Sequence, residues 1–410
     1  MKFKAITLNK WQQFENIEII FGKRLTILTG ANGSGKTTIL NMLARHCDWN
    51  FQSLSTPEKD IATKTWNWIC GLFRYNPESD NCVGELEYSN NAKSKIVVPQ
   101  HESAQYQIQI NNQQGIECFF IPSHRSVFRY QTLSNIPTQS TIDKRQAFTK
   151  VSNSNRNRYF GGNDQPSSFF MKETLVSWSI FGNGNKDMEP DDKLIEYFNG
   201  FENILKIVLP KDIGFSKFIV KNSEVVLECE SENFIIDAAS GGISAIIDMA
   251  WQIYMYSVDK NSEFTVLIDE VENHLHPTIQ RSVLPNLIEA FSNVSFIIST
   301  HSPLIVGSVR DSEVYVLRFN KERKVVSQKI DLINKAKTAS EILDEVLGVS
   351  FTMPIWAEDS LNNIVSKYIN NNITEESFIK MREDLSNIGL EKFMPQAISN
   401  LLKEKNDQDK

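Results

Sequence analysis

An α/β fold built on a parallel sheet is the class the sequence predicts, and three stretches predict it. The run Gly30-Ala31-Asn32-Gly33-Ser34-Gly35-Lys36-Thr37 fits G-x-x-x-x-G-K-[ST] at every fixed position. Phe264 to Ile268 is an apolar run followed directly by Asp269 and Glu270. Val294 to Thr300 is another apolar run, followed by His301. Runs of this length read as strands buried on both faces. In open α/β sheets, ligands gather at the C-terminal ends of such strands.

The elements follow in order. Lys2 to Leu8 alternates and reads as a strand, Asn16 to Phe21 as a second, and Arg24 to Thr29 as a third that feeds the glycine loop. Thr38 to Arg45 reads as a helix, with Ile39, Leu40 and Leu43 on one side. Thr56 to Phe73 has helical spacing, its tryptophans read as core. Gly84 to Tyr88, Ser94 to Val98 and Gln105 to Ile110 read as antiparallel strands, and Glu117 to Pro122 as an apolar one. Residues 123–165 carry Arg125, Arg129, Lys144, Arg145, Lys150, Arg156 and Arg158 against Asp143 and Asp164 alone. That composition reads as a flexible basic segment, with 124–158 a candidate contact for nucleic acid because aromatic rings lie among the cations. Phe169 to Phe181 and Asp191 to Val208 read as helices, and Phe215 to Asp237 as short strands. Ser244 to Ser257 is helical; Glu313 to Phe319 and Arg323 to Ile330 are strands. Ala339 to Leu347, Ser360 to Tyr368 and Thr374 to Leu385 are helices, and the chain frays from Lys403.

The chemistry sits in the motifs. Glycines allow the loop's backbone N–H groups to turn inward, and a helix N-terminus adds partial positive charge, which is what a phosphate needs. Lys36 would reach the β- and γ-phosphates, and the Thr37 hydroxyl would ligate Mg²⁺. Asp269 would order the Mg²⁺ shell and Glu270 would polarise an attacking water. His301 is placed to hydrogen-bond a γ-phosphate. Ser240, Gly241 and Gly242 precede a helix, a second candidate anion site.

Composition excludes several classes. A chain of 410 residues, 41% hydrophobic and 23% charged, can bury a large core. A formal charge of −7 argues against a protein that coats nucleic acid over its whole surface. The five cysteines form no C-x-x-C pair, so reduced thiols and a cytoplasmic location are expected. Met1 to Lys10 lacks the apolar core of a signal peptide, and no apolar run is long enough to span a membrane.

These motifs together resemble ABC-type ATPases of the SMC, RecF and OLD-related class, which includes the AAA-type ATPase subunits of anti-phage systems such as Septu, retrons and PARIS. Ala239 to Ile243 resembles their L-S-G-G-Q signature, with Ala239 for Leu and Ile243 for Gln. Glu272 to Pro277 resembles their E-N-H-L-H-P run, and Ser299 to Pro303 their S-T-H-S-P form. The resemblance implies a P-loop NTPase with an ABC-ATPase head and a mixed sheet, formed by residues 1–50 and 215–320. It also implies a helical and β insertion over 51–214 and a small, mostly helical C-terminal α+β extension over 321–410. ATP and Mg²⁺ would be bound, with Gly30 to Thr38 on one side and Ser240 to Gly242 of a second copy on the other. Partners would be a homodimer or higher homo-oligomer and a separately encoded effector, a nuclease. The alternative from the same class is a RecF-like repair ATPase that binds DNA directly. No coiled coil and no TOPRIM acid set is found; Glu358-Asp359 lacks the setting for one. The family's Q-loop residue is left open among Gln100, Gln105, Gln107 and the corner Ser123-His124-Arg125.

Overall fold

The protein is described by a computed structural model covering residues 1–59, 66–69, 81–99, 104–125, 128–136, 144–257, 263–330, 342, 355–369, 374–395, 397–398 and 401. Its first unit, Met1–Ile342, is built on one sheet of eleven strands. Numbered in chain order, these are β1 (Phe3–Trp11), β2 (Phe14–Ile20), β3 (Leu25–Gly30), β4 (Cys82–Tyr88), β5 (Lys93–Val97) and β6 (Gln109–Asn111). They continue as β7 (Cys118–Ile121), β8 (Phe264–Ile268), β9 (Val294–Thr300), β10 (Glu313–Phe319) and β11 (Val325–Ile330). The spatial order is β6-β5-β4-β1-β2-β11-β10-β3-β9-β8-β7.

The sheet has two halves of different physics. β10, β3, β9, β8 and β7 pair in parallel. Every residue of β3, β8 and β9 is buried, and most are apolar; the polar exceptions are the small hydroxyl residues Thr26, Thr29, Thr265, Ser295, Ser299 and Thr300. The other half is an antiparallel meander, β1 on β2 and β4, then β5 and β6. Its strands alternate instead: Ile6, Leu8, Ile17 and Ile19 face the core while the residues between face outward. Helix α1 (Lys36–Ala44) packs Ile39, Leu40 and Leu43 into the same core as Trp11, Phe14 and Trp49.

Between the two halves of the motif set lie α2 (Lys144–Tyr159), α3 (Ser167–Asn183) and α4 (Asp192–Val208). Leu194, Phe201 and Leu205 form the buried stripe of α4, and Asp191 caps it by accepting from Lys193 and Leu194 N–H groups. A three-stranded sheet, Phe215–Lys221, Glu224–Cys229 and Phe234–Ile235, leads into α5 (Gly241–Tyr256). Short helices α6 (Pro277–Gln280), α7 (Val283–Ala290) and α8 (Pro303–Val306) connect the later strands. The second unit, Leu343–Lys410, contains α9 (Ile355–Ile369) and α10 (Glu375–Asn387), which share a core of Leu361, Val365, Met381 and Leu385.

Three expectations are corrected. Thr56 to Phe73 is not one helix: Thr56–Lys59 and Trp66–Ile69 pair as antiparallel strands, Thr56 opposite Ile69. Helical spacing there was an accident of residues in two short paired strands, where periodicity discriminates poorly. The basic segment is not a solvated flexible loop over its length. Residues 144–159 form α2, with Ala147, Val151 and Ser154 buried at helical spacing. Few apolar residues are needed to seat a helix when its neighbour α5 is apolar nearly all round. The cysteines are not all reduced, since Cys47 and Cys118 form a disulfide with Cα atoms 5.7 Å apart. The turn after α1 abuts β7, a proximity invisible in a sequence separation of 71. The expected helix Ala339 to Leu347, Ile342 excepted, and the fraying from Lys403 lie outside the described residues.

Candidate functional site

The glycine loop joins β3 to α1 at the C-terminal edge of the parallel strands. Gly30 has φ 140° and Gly35 has φ 90°. A Cβ at Gly30 would strike the Leu317 carbonyl, and one at Gly35 the Phe14 ring, so both positions require glycine twice over. Lys36 folds back across the loop, its Nζ donating to the carbonyls of Gly30 at 3.0 Å and Ala31 at 3.1 Å. Burial pushes its pKa down to about 8, against the opposing pull of Asp269, Glu270 and Glu272. Asn32 and Gly33 are exposed at the loop tip. Ser34 Oγ is buried without a partner among the described residues.

The acids meet this loop from β8. Asp269 is 2% exposed. Thr37 Oγ1 donates to it, 3.1 Å from Oδ1 and 3.0 Å from Oδ2, and Ser299 Oγ donates to Oδ1 at 2.5 Å. Desolvation raises the Asp269 pKa. Glu270 turns the chain with φ 47°, an uncommon value for a residue with a side chain. Its N–H donates to Ser299 Oγ at 2.8 Å, and its Oε2 accepts from Asn273 Nδ2 at 2.7 Å. Its Oε1 lies 3.8 Å from His301 Nε2. Burial, then the Lys36 charge, lowers the His301 pKa, so the imidazole is neutral at pH 7. Glu272 Oε1 accepts the His301 backbone N–H at 2.5 Å, and this ties the end of β9 to the acidic turn.

A buried carboxylate beside a hydroxyl, with an orphaned serine oxygen in the adjoining loop, is an oxygen-only setting suited to a hard divalent cation and phosphate. Thr37, Asp269, Lys36, Glu270 and His301 therefore come together. Ser240, Gly241 and Gly242 do not: no hydrogen bond or ion pair links them to that cluster among the described residues. Ser240 occupies the N-cap of α5 with its hydroxyl making no cap bond, and it is exposed. A Cβ on Gly242 would lie 3.1 Å from the His274 carbonyl, so this segment packs against the turn after Glu270. His276 caps α6 by accepting from Thr278 N–H.

Two residues take roles that the sequence left unassigned, although Arg125 stood in the corner named as a Q-loop candidate and Ser299 in the S-T-H-S-P form. Ser299 bridges Asp269 and Glu270; its signal was its place two residues before His301, on the same face of the strand. Arg125 bonds the backbone of the acidic turn, and its signal was a polar corner directly after an apolar strand. Conversely, many cations of the basic stretch have protein partners. Lys150 bonds Glu173 at 2.8 Å, Arg145 lies 3.8 Å from Glu117, and Arg156 donates to the Asp48 carbonyl at 2.7 Å. Tyr159 and Phe160 pack against Trp49 and Phe51.

The sequence model of the family described as "AAA domain, putative AbiEii toxin, Type IV TA system" matches residues 25–307. The Septu protein PtuA of Bacillus mycoides (strain KBAB4) is 31% identical over 138 residues, 32% of this chain and 19% of that protein. The Retron Ec83 probable ATPase of Escherichia coli is 25% identical over 211 residues, 50% of this chain and 36% of that protein. The matched regions thus span well under half the length of these relatives. Among solved structures, an Smc head bound to the C-winged helix domain of ScpA is 14% identical, covers 81% of this chain and 99% of that chain, and has a TM-score of 0.40. A score that low carries no argument about function.

Proposed function

The chain belongs to this AAA domain family, and from that premise we propose that it binds and hydrolyses ATP with Mg²⁺ and uses the nucleotide state to control an effector in anti-phage defence. The observation that carries the reading is the bonding of Thr37 to both oxygens of Asp269 at the edge where Lys36, Glu270 and His301 also gather. Thr37 and Asp269 would hold Mg²⁺, which neutralises charge developing on transferred phosphate. The N–H groups of Gly30, Asn32, Gly33, Ser34 and Gly35 would cradle phosphate, helped by Thr38 and the Lys36 ammonium. Glu270 accepts the proton of the attacking water, oriented by Asn273 and the Ser299-bonded backbone. His301 is neutral and can donate a hydrogen bond to a γ-phosphate oxygen.

Ser240 to Gly242 make no bond to this cluster among the described residues, and Ser240 and Gly241 are exposed at a helix N-terminus. That placement supports their use toward nucleotide held by a second copy, in a homodimer or higher oligomer closed by ATP. The anti-phage role and the separately encoded nuclease effector are what the resemblance to Septu and retron ATPases implies for this chain. Among the described residues no helix is long and apolar enough to cross a membrane.

The test is paired. Lys36→Ala should lose ATP affinity with little change in thermal stability. Glu270→Gln should bind ATP, fail to turn it over, and accumulate as a closed dimer in the presence of ATP. Undiminished affinity in the first variant, or wild-type turnover in the second, overturns the reading.

A further inference from the structure

Strand β7 exits into Ser123, His124 and Arg125, beside the exit of β8 into the acidic turn. The Arg125 guanidinium reaches across. Its Nη2 donates to the carbonyls of Glu270 at 2.8 Å and Asp269 at 3.1 Å. Its Nη1 points at the carbonyls of Val271 at 3.4 Å and Asn273 at 3.5 Å. Four carbonyls of one five-residue turn thus face a single planar fork. The return tie comes from Asn273, whose Nδ2 donates to the Ser123 carbonyl at 3.1 Å and to the Glu270 carboxylate at 2.7 Å. Arg125 makes no ion pair with a carboxylate among the described residues, so its bonds go to backbone.

This matters because the turn is strained. Glu270 at φ 47° and His274 at φ 70° both sit in the left-handed region. Such residues cost about 1–3 kcal/mol each and persist only where their surroundings hold them. Left alone, the turn would relax and take the Glu270 carboxylate with it. A guanidinium suits the task better than an ammonium. It presents five N–H donors in a rigid plane, whereas lysine offers a flexible point charge that cannot span four acceptors. Burial lowers the Arg125 pKa to about 10, which leaves it charged at neutral pH.

We propose that Arg125 is a positioning residue for ATP hydrolysis: it clamps the backbone of Asp269 to Asn273 so that the strained Glu270 holds its carboxylate in the working place. The proposal rests on the ATP-hydrolysis reading above for its kinetic consequence, but the clamp itself is a property of the turn. Arg125 touches neither the glycine loop nor Thr37 among the described residues, so its loss should act on turnover and spare ATP binding.

Arg125→Lys and Arg125→Gln are compared with wild type and Glu270→Gln in the full chain. ATP affinity is measured by titration, turnover by phosphate release, and amide hydrogen exchange by mass spectrometry across residues 269–274. The expected result is a fall in kcat of about tenfold or more in both variants, ATP affinity within about twofold, and faster exchange confined to 269–274. Because lysine keeps the charge, a loss in Arg125→Lys assigns the effect to the fork. Unchanged exchange in folded variants overturns the clamp whatever the kinetics. Faster exchange with wild-type kcat overturns the positioning role. A wild-type protein with no turnover would refute the proposed function, and the exchange data would still decide the clamp.

Discussion

The depressed pKa of Lys36 makes ATP affinity pH-dependent in a window where little else in the site titrates. Burial against the Gly30 and Ala31 carbonyls lowers the ammonium to about 8 in the free protein. Phosphate oxygens need that ammonium charged, so contact with them returns it toward its ordinary value of 10.5. Binding then takes up a proton above pH 8. The apparent Kd grows as one plus ten raised to the difference between pH and 8, so affinity at pH 9 should be about tenfold weaker than at pH 7. The γ-phosphate confounds this little, because a phosphate's second ionisation lies near pH 6 and is nearly complete by pH 7. His301 does not either, since burial keeps it neutral. The sign for stability runs the other way: the folded state gives up this proton before the unfolded chain does, so the free protein gains stability from about pH 8 to 10.5. Isothermal titration with a non-hydrolysable ATP analogue, from pH 7 to pH 9.5 in buffers of different ionisation enthalpy, measures both affinity and proton uptake. A flat Kd across the window refutes the reasoning, as does the same slope in Lys36→Ala.

Three further outcomes follow from particular contacts. Asp269→Asn should raise the melting temperature of the free protein at neutral pH while abolishing turnover, because desolvation raises the native pKa and the buried charge opposes folding; the gain should shrink as pH falls and vanish below 3.8, where both states are protonated, and a variant no more stable at pH 7 contradicts it. Lys172 is fully buried with Asp237 at 2.7 Å and Glu224 at 2.5 Å, three residues upstream of Ser240, so Lys172→Met should cost about 3–5 kcal/mol in urea denaturation; a loss below about 1 kcal/mol would mean that water reaches Asp237. Cys47→Ser should cost about 4 kcal/mol relative to the oxidised protein, because the bridge closes a loop with a sequence separation of 71; equal denaturation midpoints for the two would count against a stabilising bridge, and thiol counting by mass spectrometry under native conditions reports whether it is closed.

What the sequence determined by itself was whatever depends on a few consecutive residues. Gly30 to Thr37 can be recognised because a phosphate-type loop needs glycine at fixed spacings, and the structure shows why: Gly30 and Gly35 have positive φ and no room for a Cβ. Phe264 to Ile268 and Val294 to Thr300 were legible because strands buried on both faces are mostly apolar, with only small hydroxyl residues among them. Tertiary structure decided everything that requires two distant segments. It made strands of Thr56–Lys59 and Trp66–Ile69, because a short segment takes its conformation from its pairing partner. It seated the polar helix 144–159, because the apolar surface of α5 supplied most of the burial. It joined Cys47 to Cys118 and brought Arg125 to the turn at Glu270, although 145 residues separate those two in the chain. Local chemistry is written in the order of residues, whereas the clamp exists only once strands β7 and β8 lie side by side, and the bridge only once β7 meets the turn after α1.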